Sequence, residues 1–305
     1  MIPTEHEAAA RLDALAPARR MSIAEIGTDT GWTAALLDHL LQGGHIVTAA
    51  DTERLADVAR QSLAHYPRVR VVCGPSADAL GPPGSFDGLI SHRAVARVPW
   101  EWVNRVRPGG RLCLPVLTGL GDASTLLALE VAQDGCSASG RFMPGPDQQT
   151  LWLREQRPGK RNRIDPQQNP RVSQAPSTTP LRLQPGMRVF AGLLQPGLHM
   201  ELVRGTATLE GKAADRIRLH DHRASRALLF LNGDRAVNEW GPRDLGTDLL
   251  DAIAQWHAAG EPELQQLGLT ITESEHTLWL GAPDGPSWPL PGLNTPTSRT
   301  THHAT

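Results

Sequence analysis

The sequence predicts an α/β protein, with a doubly wound parallel sheet in its first half and a smaller α+β domain behind it. Three observations predict this. Short apolar runs alternate with stretches of helical period from residue 21 to about 118, the signature of parallel βαβ units. A glycine-bracketed turn, Glu25-Ile-Gly-Thr-Asp-Thr-Gly31, joins the first run to the first long helix. Beyond residue 120 the alternation stops, and short strand-like runs surround one long amphipathic helix.

The elements follow in order. Residues 5–16 read as a short amphipathic helix with Ala9, Leu12, Leu15 and Ala16 on one side. Met21–Ile26 is a buried-strand run ended by glycine. Thr30–Leu41 has helical spacing and stops at Gly43-Gly44. His45–Ala50 is a strand, Thr52–Ala64 a helix and Val69–Cys73 a third strand. Phe86–Ser91 is a fourth strand, Trp100–Val106 a helix ended by Pro108-Gly109-Gly110, and Arg111–Val116 a fifth strand. Ser124–Gln133 and Thr150–Leu153 read as further strands, an antiparallel edge to the sheet. The predicted domains are 1–153, a linker or mobile loop at 154–180 rich in Pro, Gln, Ser and Arg, a C-terminal α+β domain at 181–285, and a disordered tail at 286–305. Within 181–285 the strand-like runs are Met200–Arg204, Arg216–His220 and Ala227–Leu231, the helix is Asp244–Ala259, and the pair Leu269–Thr272 and His276–Leu280 closes the domain.

Composition bounds the function. The chain has 305 residues, 40% of them apolar, enough for a substantial core and a second domain. A net charge of −2 with mixed signs gives no reason to expect a nucleic acid or an anionic membrane as partner. The three cysteines, Cys73, Cys113 and Cys136, have no metal-site spacing, and an odd count argues against a disulfide framework. No apolar signal-peptide core and no stretch long enough to span a bilayer is present, so a cytoplasmic protein is expected.

The loop carries the chemistry. Glycines let the backbone pass close to a ligand, and the helix after them offers free N–H groups to an anionic moiety. Glu25, Gly27, Thr28, Asp29 and Gly31 are therefore candidate cofactor-binding residues. The next strand should end in an acid for ribose hydroxyls, and Asp51 stands there. Asp is equally a good N-cap for the helix that follows. Gly74 and Ser76, after the third strand, are the candidates on the base side.

Residues 5–120 resemble the protein-L-isoaspartate O-methyltransferase family. The resemblance lies in Glu25–Leu37, in Ala94-Val-Ala-Arg-Val-Pro-Trp-Glu-Trp-Val103 and in Arg107-Pro-Gly-Gly-Arg-Leu-Cys-Leu-Pro115. Trp240-Gly-Pro-Arg-Asp-Leu245, Gly260-Glu-Pro262, Leu267-Gly-Leu-Thr270 and Leu278-Trp-Leu280 are similar to the extension of an actinobacterial branch that accompanies ribosomally made, modified peptides, including the ATP-grasp-linked graspetides. The resemblance implies a Rossmann-like sheet, S-adenosylmethionine as cofactor, and methylation of an Asp or isoAsp carboxylate in a peptide or protein. The ester can then close to an aspartimide. A carboxylate is ionised at neutral pH, so no strong general base is needed; proximity and orientation do the work. No catalytic triad and no metal site is found.

The sequence departs from the family in four places. Asp29 replaces a loop glycine, Ala50 rather than Asp51 aligns with the family's ribose acid, and Gly74-Pro75 replaces a Gly-Asp pair. Little chain precedes Glu25 to form a lid, so a partner supplying one is expected. These changes carry the alternative reading: a degenerate methyltransferase kept as a peptide-binding or scaffolding partner. A nicotinamide dehydrogenase fits poorly, because the loop lacks a third glycine at the expected place. His220-Asp221-His222 has metal-like alternation but reads first as a solvated turn. Arg157, Lys160, Arg161, Arg163 and Arg171 form a basic run that would suit an acidic peptide and reads first as a charged loop. Trp100 and Trp102 flank the expected substrate side or pack beneath the Pro108 turn.

Overall fold

The computed structural model describes residues 5–28, 30–74, 77–118, 120, 124–144, 169–175, 184–207, 213–221, 224–230 and 236–292. Asp29, Pro75, Ser76, the predicted strand Thr150–Leu153 and most of the predicted tail lie outside them. The chain divides into two units. The first comprises Met1–Leu117, Ser124–Gln149 and Leu264–Trp288; the second comprises Thr118–Ala123, Thr150–Glu263 and Pro289–Thr305.

The first unit starts with α1 (Glu5–Leu15), then β1 (Ser22–Thr28), α2 (Trp32–Leu41), β2 (His45–Ala50), α3 (Glu53–Ser62), β3 (Val69–Cys73), α4 (Ala77–Leu80), β4 (Phe86–Ser91), α5 (Trp100–Arg105) and β5 (Val106–Leu117). The strands lie in the order β3-β2-β1-β4-β5, all parallel. The order reverses between β1 and β4, the position where open α/β sheets bind ligands beyond the carboxyl ends of their strands. This is the predicted Rossmann-like arrangement. Ile23, Ala24, Glu25 and Ile26 on β1, and residues 46–50 on β2, are buried in sequence, as strands covered on both faces require. Leu12 and Leu15 of α1 join Ala34, Leu37 and Leu41 of α2, with Ile23, Ile46 and Ile90, in one core. Asp38 on α2 takes a two-pronged pair of bonds from Arg68, both at 2.9 Å, fixing the helix to the start of β3.

The sheet does not end at β5. β6 (Ser124–Val131) and β7 (Ala138–Met143) continue it antiparallel, followed by β13 (Leu267–Ile271), β14 (His276–Leu280) and β15 (Ser287–Pro289). Two expectations are corrected here. The segment at 124–133 is interior to the sheet, not its edge. The pair at 269–280, expected to close the C-terminal domain, pairs through Gly268↔Arg141 to Ile271↔Ala138 with β7 of the first unit. Side chains cross this seam: Ser139 Oγ and Thr270 Oγ1 share a hydrogen bond at 2.6 Å, and Arg141 donates to the Gln265 carbonyl at 3.1 Å. The Trp279 ring lies over Gly268, where a Cβ would fall 2.2 Å from it. Its indole N–H donates to Thr270 Oγ1 at 3.1 Å, and Arg141 sits 5.0 Å above its centroid.

His276, at the start of β14, is buried at 8% exposure. Burial and the neighbouring Arg97 guanidinium push it down to about 4, against a backbone hydrogen bond at Val98 that favours its charged form. A His with a lowered folded pKa contributes stability above its unfolded value, lost as pH falls towards the folded one. The native protein is therefore expected to lose stability between pH ~6.5 and about 4. Denaturant midpoints measured across this range should fall less in a His276→Gln variant than in the parent.

The second unit has its own sheet, order β8-β12-β11-β10-β9, all antiparallel: β8 (Arg171–Gln174), β9 (His199–Ala207), β10 (Ala213–His220), β11 (Arg226–Phe230) and β12 (Ala236–Trp240). β8 falls inside the predicted linker, and so corrects it. Edge pairing with β12 orders this stretch, and Arg171 ties it down by bonds to Asp244 and the Gly241 carbonyl, both at 2.8 Å. Arg171 thus serves its own fold; the four other residues of the basic run lie outside the described residues. Ile217, Leu219, Ala227, Leu229 and Val237 are buried, as are Leu245, Leu249, Ile253 and Trp256 of α7 (Leu245–Ala258). α6 (Pro185–Leu194) packs against α7.

Asp244, the N-cap of α7, makes no side-chain cap bond. Glu239 of β12, buried at 4% exposure, does the work from outside the helix. Its Oε1 accepts from the N–H groups of Gly246 and Thr247 at 2.7 and 3.1 Å. Removing it leaves those donors unsatisfied next to the positive end of the helix dipole. Glu239→Ala is expected to cost about 1–3 kcal/mol, read from urea unfolding, with Glu239→Gln intermediate.

Candidate functional site

The site is built on the carboxyl ends of β1, β2, β3 and β4. Glu25 is 1% exposed, near the end of β1. One carboxylate oxygen accepts from Thr48 Oγ1 of β2 at 2.5 Å, and the other lies 2.9 Å from His92 Nε2. Glu25 therefore joins three strand ends. His92, its side chain 8% exposed, follows β4, held there by its N–H to the Ile26 carbonyl at 2.9 Å. Its other ring nitrogen, Nδ1, is buried without a hydrogen-bond partner among the described residues.

After Glu25 the loop needs its glycines. Gly27 has φ +88° and Gly31 φ +81°, in the left-handed region that disfavours side chains. Gly31 caps α2, and Leu63 packs on it. Helix α2 begins at Trp32 rather than Thr30, and its first i→i−4 bond runs from the Ala35 N–H to the Gly31 carbonyl at 3.0 Å, so the N–H groups of Trp32, Thr33 and Ala34 have no partner within the helix. Thr28 is buried at 4% exposure in the last position of β1. Asp29 lies outside the described residues.

Asp51 stands one residue past the end of β2, while Ala50 is fully buried in the last strand position. The α3 N-cap is Thr52, whose side chain accepts from Leu55 N–H at 3.3 Å, so the capping role weighed for Asp51 is corrected. Asp51 pairs instead with Arg93. Gly74, at φ +94°, donates to the Ala50 carbonyl at 2.7 Å, and among the described residues beyond its chain neighbours no atom lies within 4 Å of where its Cβ would be. Ser76 lies outside the described residues.

Thr48, His92 and Arg93 escaped the sequence reading. Their signal was position alone, at strand ends beside the order reversal. Arg93 matters most. Its Cγ lies 2.7 Å from where a Cβ on Gly27 would be. At His220-Asp221-His222 the expected solvated turn is corrected, because the Asp221 side chain is only 3% exposed. Asp221 accepts from Ser225 N–H at 2.8 Å in a local turn, His220 stacks on His199 at 5.1 Å, and His222 lies outside the described residues. Trp102 is buried in the first unit. Cys113 is buried, which pushes its thiol up to about 12 and leaves it inert.

These residues fit a nucleoside-bearing cofactor. The loop glycines give close backbone approach, Asp51 is an acid beyond β2, and His92 Nδ1 is a buried polar atom without a partner among the described residues. One flexible side chain, that of Arg93, lies across the same ground.

Residues 1–137 match the family model of protein-L-isoaspartate(D-aspartate) O-methyltransferase. The chain is 31% identical over 125 residues to a protein-L-isoaspartate O-methyltransferase of Methylibium petroleiphilum, covering 40% of this chain and 46% of that one. It is 31% identical over 128 residues to that of Ectopseudomonas mendocina, covering 40% and 59%. The chain spans about half the length of the curated relatives it matches. A solved protein-L-isoaspartate O-methyltransferase structure superposes over 87% of this chain and 77% of its own, with a TM-score of 0.48 at 17% identity. The N-terminal segment, residues 1–137, is thus similar to these methyltransferases.

Proposed function

We propose that the chain is an S-adenosylmethionine-dependent O-methyltransferase that esterifies an Asp or isoAsp carboxylate of a peptide. The observation that carries this reading is the cluster of Glu25, Gly27, Gly31 and Asp51 at the order reversal, inside the segment that matches the family. Glu25 would hold the loop in register through Thr48 and His92. Asp51 would take the ribose hydroxyls, Gly27 would allow close approach, and the first turn of α2 would face the methionine carboxylate. When bound, the cofactor supplies an electrophilic methyl group on sulfur. The acceptor carboxylate is already ionised at neutral pH, so this chain need only orient it and exclude water.

The finer reading is a ribosomally made, modified peptide as substrate, with the ester free to close to an aspartimide by loss of methanol. Soluble peptide chemistry of this kind suits a cytoplasmic protein with a partner that helps cover the site. Among the described residues no helix is long and apolar enough to cross a membrane. The degenerate-partner reading keeps one observation in its favour, the Arg93 side chain lying over Gly27 and Asp51.

The test is mass spectrometry of isoaspartyl and aspartyl peptides incubated with the whole protein and the cofactor. The expected result is a gain of one methyl group, lost again in mild base as an ester must be. Peptides unchanged at stoichiometric protein would remove the enzyme reading and leave the binding partner.

A further inference from the structure

We infer that Arg93 gates the cofactor position by competing with the ribose for Asp51. This rests on the reading of the crevice given above. Arg93 leaves the end of β4 in a tight turn: its N–H donates to Ser91 Oγ at 3.0 Å, and the same hydroxyl donates to the Arg93 carbonyl at 3.1 Å. That turn aims the side chain back along the sheet edge. Its stem crosses Gly27 at the end of β1, and its guanidinium pairs with Asp51 beyond β2. One side chain therefore bridges three adjacent strand ends at the point where the order reverses.

Two consequences follow. The acid placed to receive ribose hydroxyls is already satisfied by a cation, and the glycine that leaves room for a ligand is covered by methylene groups. A cofactor must displace both contacts at once. The gate is weak by construction, because the Arg93 and Asp51 side chains are 47% and 33% exposed. Water can replace each partner, and an exposed pair of this kind is readily broken. Apparent cofactor affinity is then the intrinsic affinity reduced by the fraction of molecules with Arg93 swung aside. Glu25, by contrast, is locked in its buried bonds and takes no part in the exchange.

The test is calorimetric titration of S-adenosylhomocysteine into the whole protein, its Arg93→Gln and Arg93→Ala variants, and Asp51→Asn. The probe undergoes no reaction, so binding is read apart from activity. Arg93→Gln keeps much of the stem and removes the charge. It should bind about threefold more tightly than the parent, within the ~1.5–5-fold range an exposed pair can supply. Arg93→Ala should exceed it, since it also uncovers Gly27. Asp51→Asn should bind more weakly than the parent despite losing the same ion pair. Raising ionic strength should narrow the gap between parent and Arg93→Gln. Arg93 variants that bind no better than a parent that does bind would overturn the gate and leave the cofactor reading standing. Failure of every protein to bind would overturn both.

Discussion

Glu25→Ala is expected to destabilise the first unit more than any other single change at the site. The carboxylate is 1% exposed and satisfies two buried groups, the Thr48 hydroxyl and His92 Nε2. Alanine leaves both without a partner, and at about 1–3 kcal/mol for each unsatisfied group the loss is about 2–6 kcal/mol. Against a typical total of about 5–15 kcal/mol this is a large fraction. The three strand ends that Glu25 joins should loosen together, so binding of S-adenosylhomocysteine should fall with stability. Glu25→Gln keeps an acceptor for one partner and a donor for the other, and should lose less than half as much. Guanidinium unfolding of the three proteins measures the order. An alanine variant as stable as the parent would show that the cluster is not the joint described here.

Gly192→Ala should also be costly, although helix propensity points the other way. The residue lies inside α6, where alanine is intrinsically better than glycine by about 0.8–1 kcal/mol. Packing decides against it. A Cβ there would fall 1.5 Å from the Thr118 carbonyl oxygen and 2.6 Å from its carbon. Backbone cannot step aside as a flexible side chain does, and over-packing typically costs about 1–3 kcal/mol or more. The net effect expected is a loss of about 2 kcal/mol in urea unfolding, larger for Gly192→Val. A gain in stability would mean that α6 packs against the 118 segment less closely than the structure has it.

How much of this was legible in the sequence depends on the range of the interactions. β2, β3 and β4 read to the residue because buried strands are near-continuous apolar runs. β5 instead starts five residues early, at Val106, and runs through the Pro108-Gly109-Gly110 expected to precede it, and β1 runs on through Gly27 to Thr28. The loop read well for a local reason: Gly27 and Gly31 need positive φ, and few other residues tolerate it. α6 did not read, since Met187, Val189, Phe190, Ala191 and Leu193 are buried on all sides and leave no polar face to set a period. The pairing of β13 with β7 did not read either. It joins residues more than a hundred positions apart, and the side chains that link them across the seam, Ser139 with Thr270 and Arg141 with Trp279, leave no local pattern. In the site, the acid past β2 was visible, but its partner was not. Arg93 reaches Asp51 only because strand order sets β4 beside β1 and β1 beside β2, and no local pattern carries that order.

The central claim is that the carboxyl edge of β1 and β2 holds S-adenosylmethionine. A crystal structure of the whole protein grown with saturating S-adenosylhomocysteine tests it most directly. The expected result is a nucleoside over Gly27, its ribose hydroxyls within hydrogen-bond reach of Asp51, and the Arg93 guanidinium moved off that carboxylate. A nucleoside bound elsewhere on the chain, or Arg93 still on Asp51 with the edge unliganded at saturation, would contradict it.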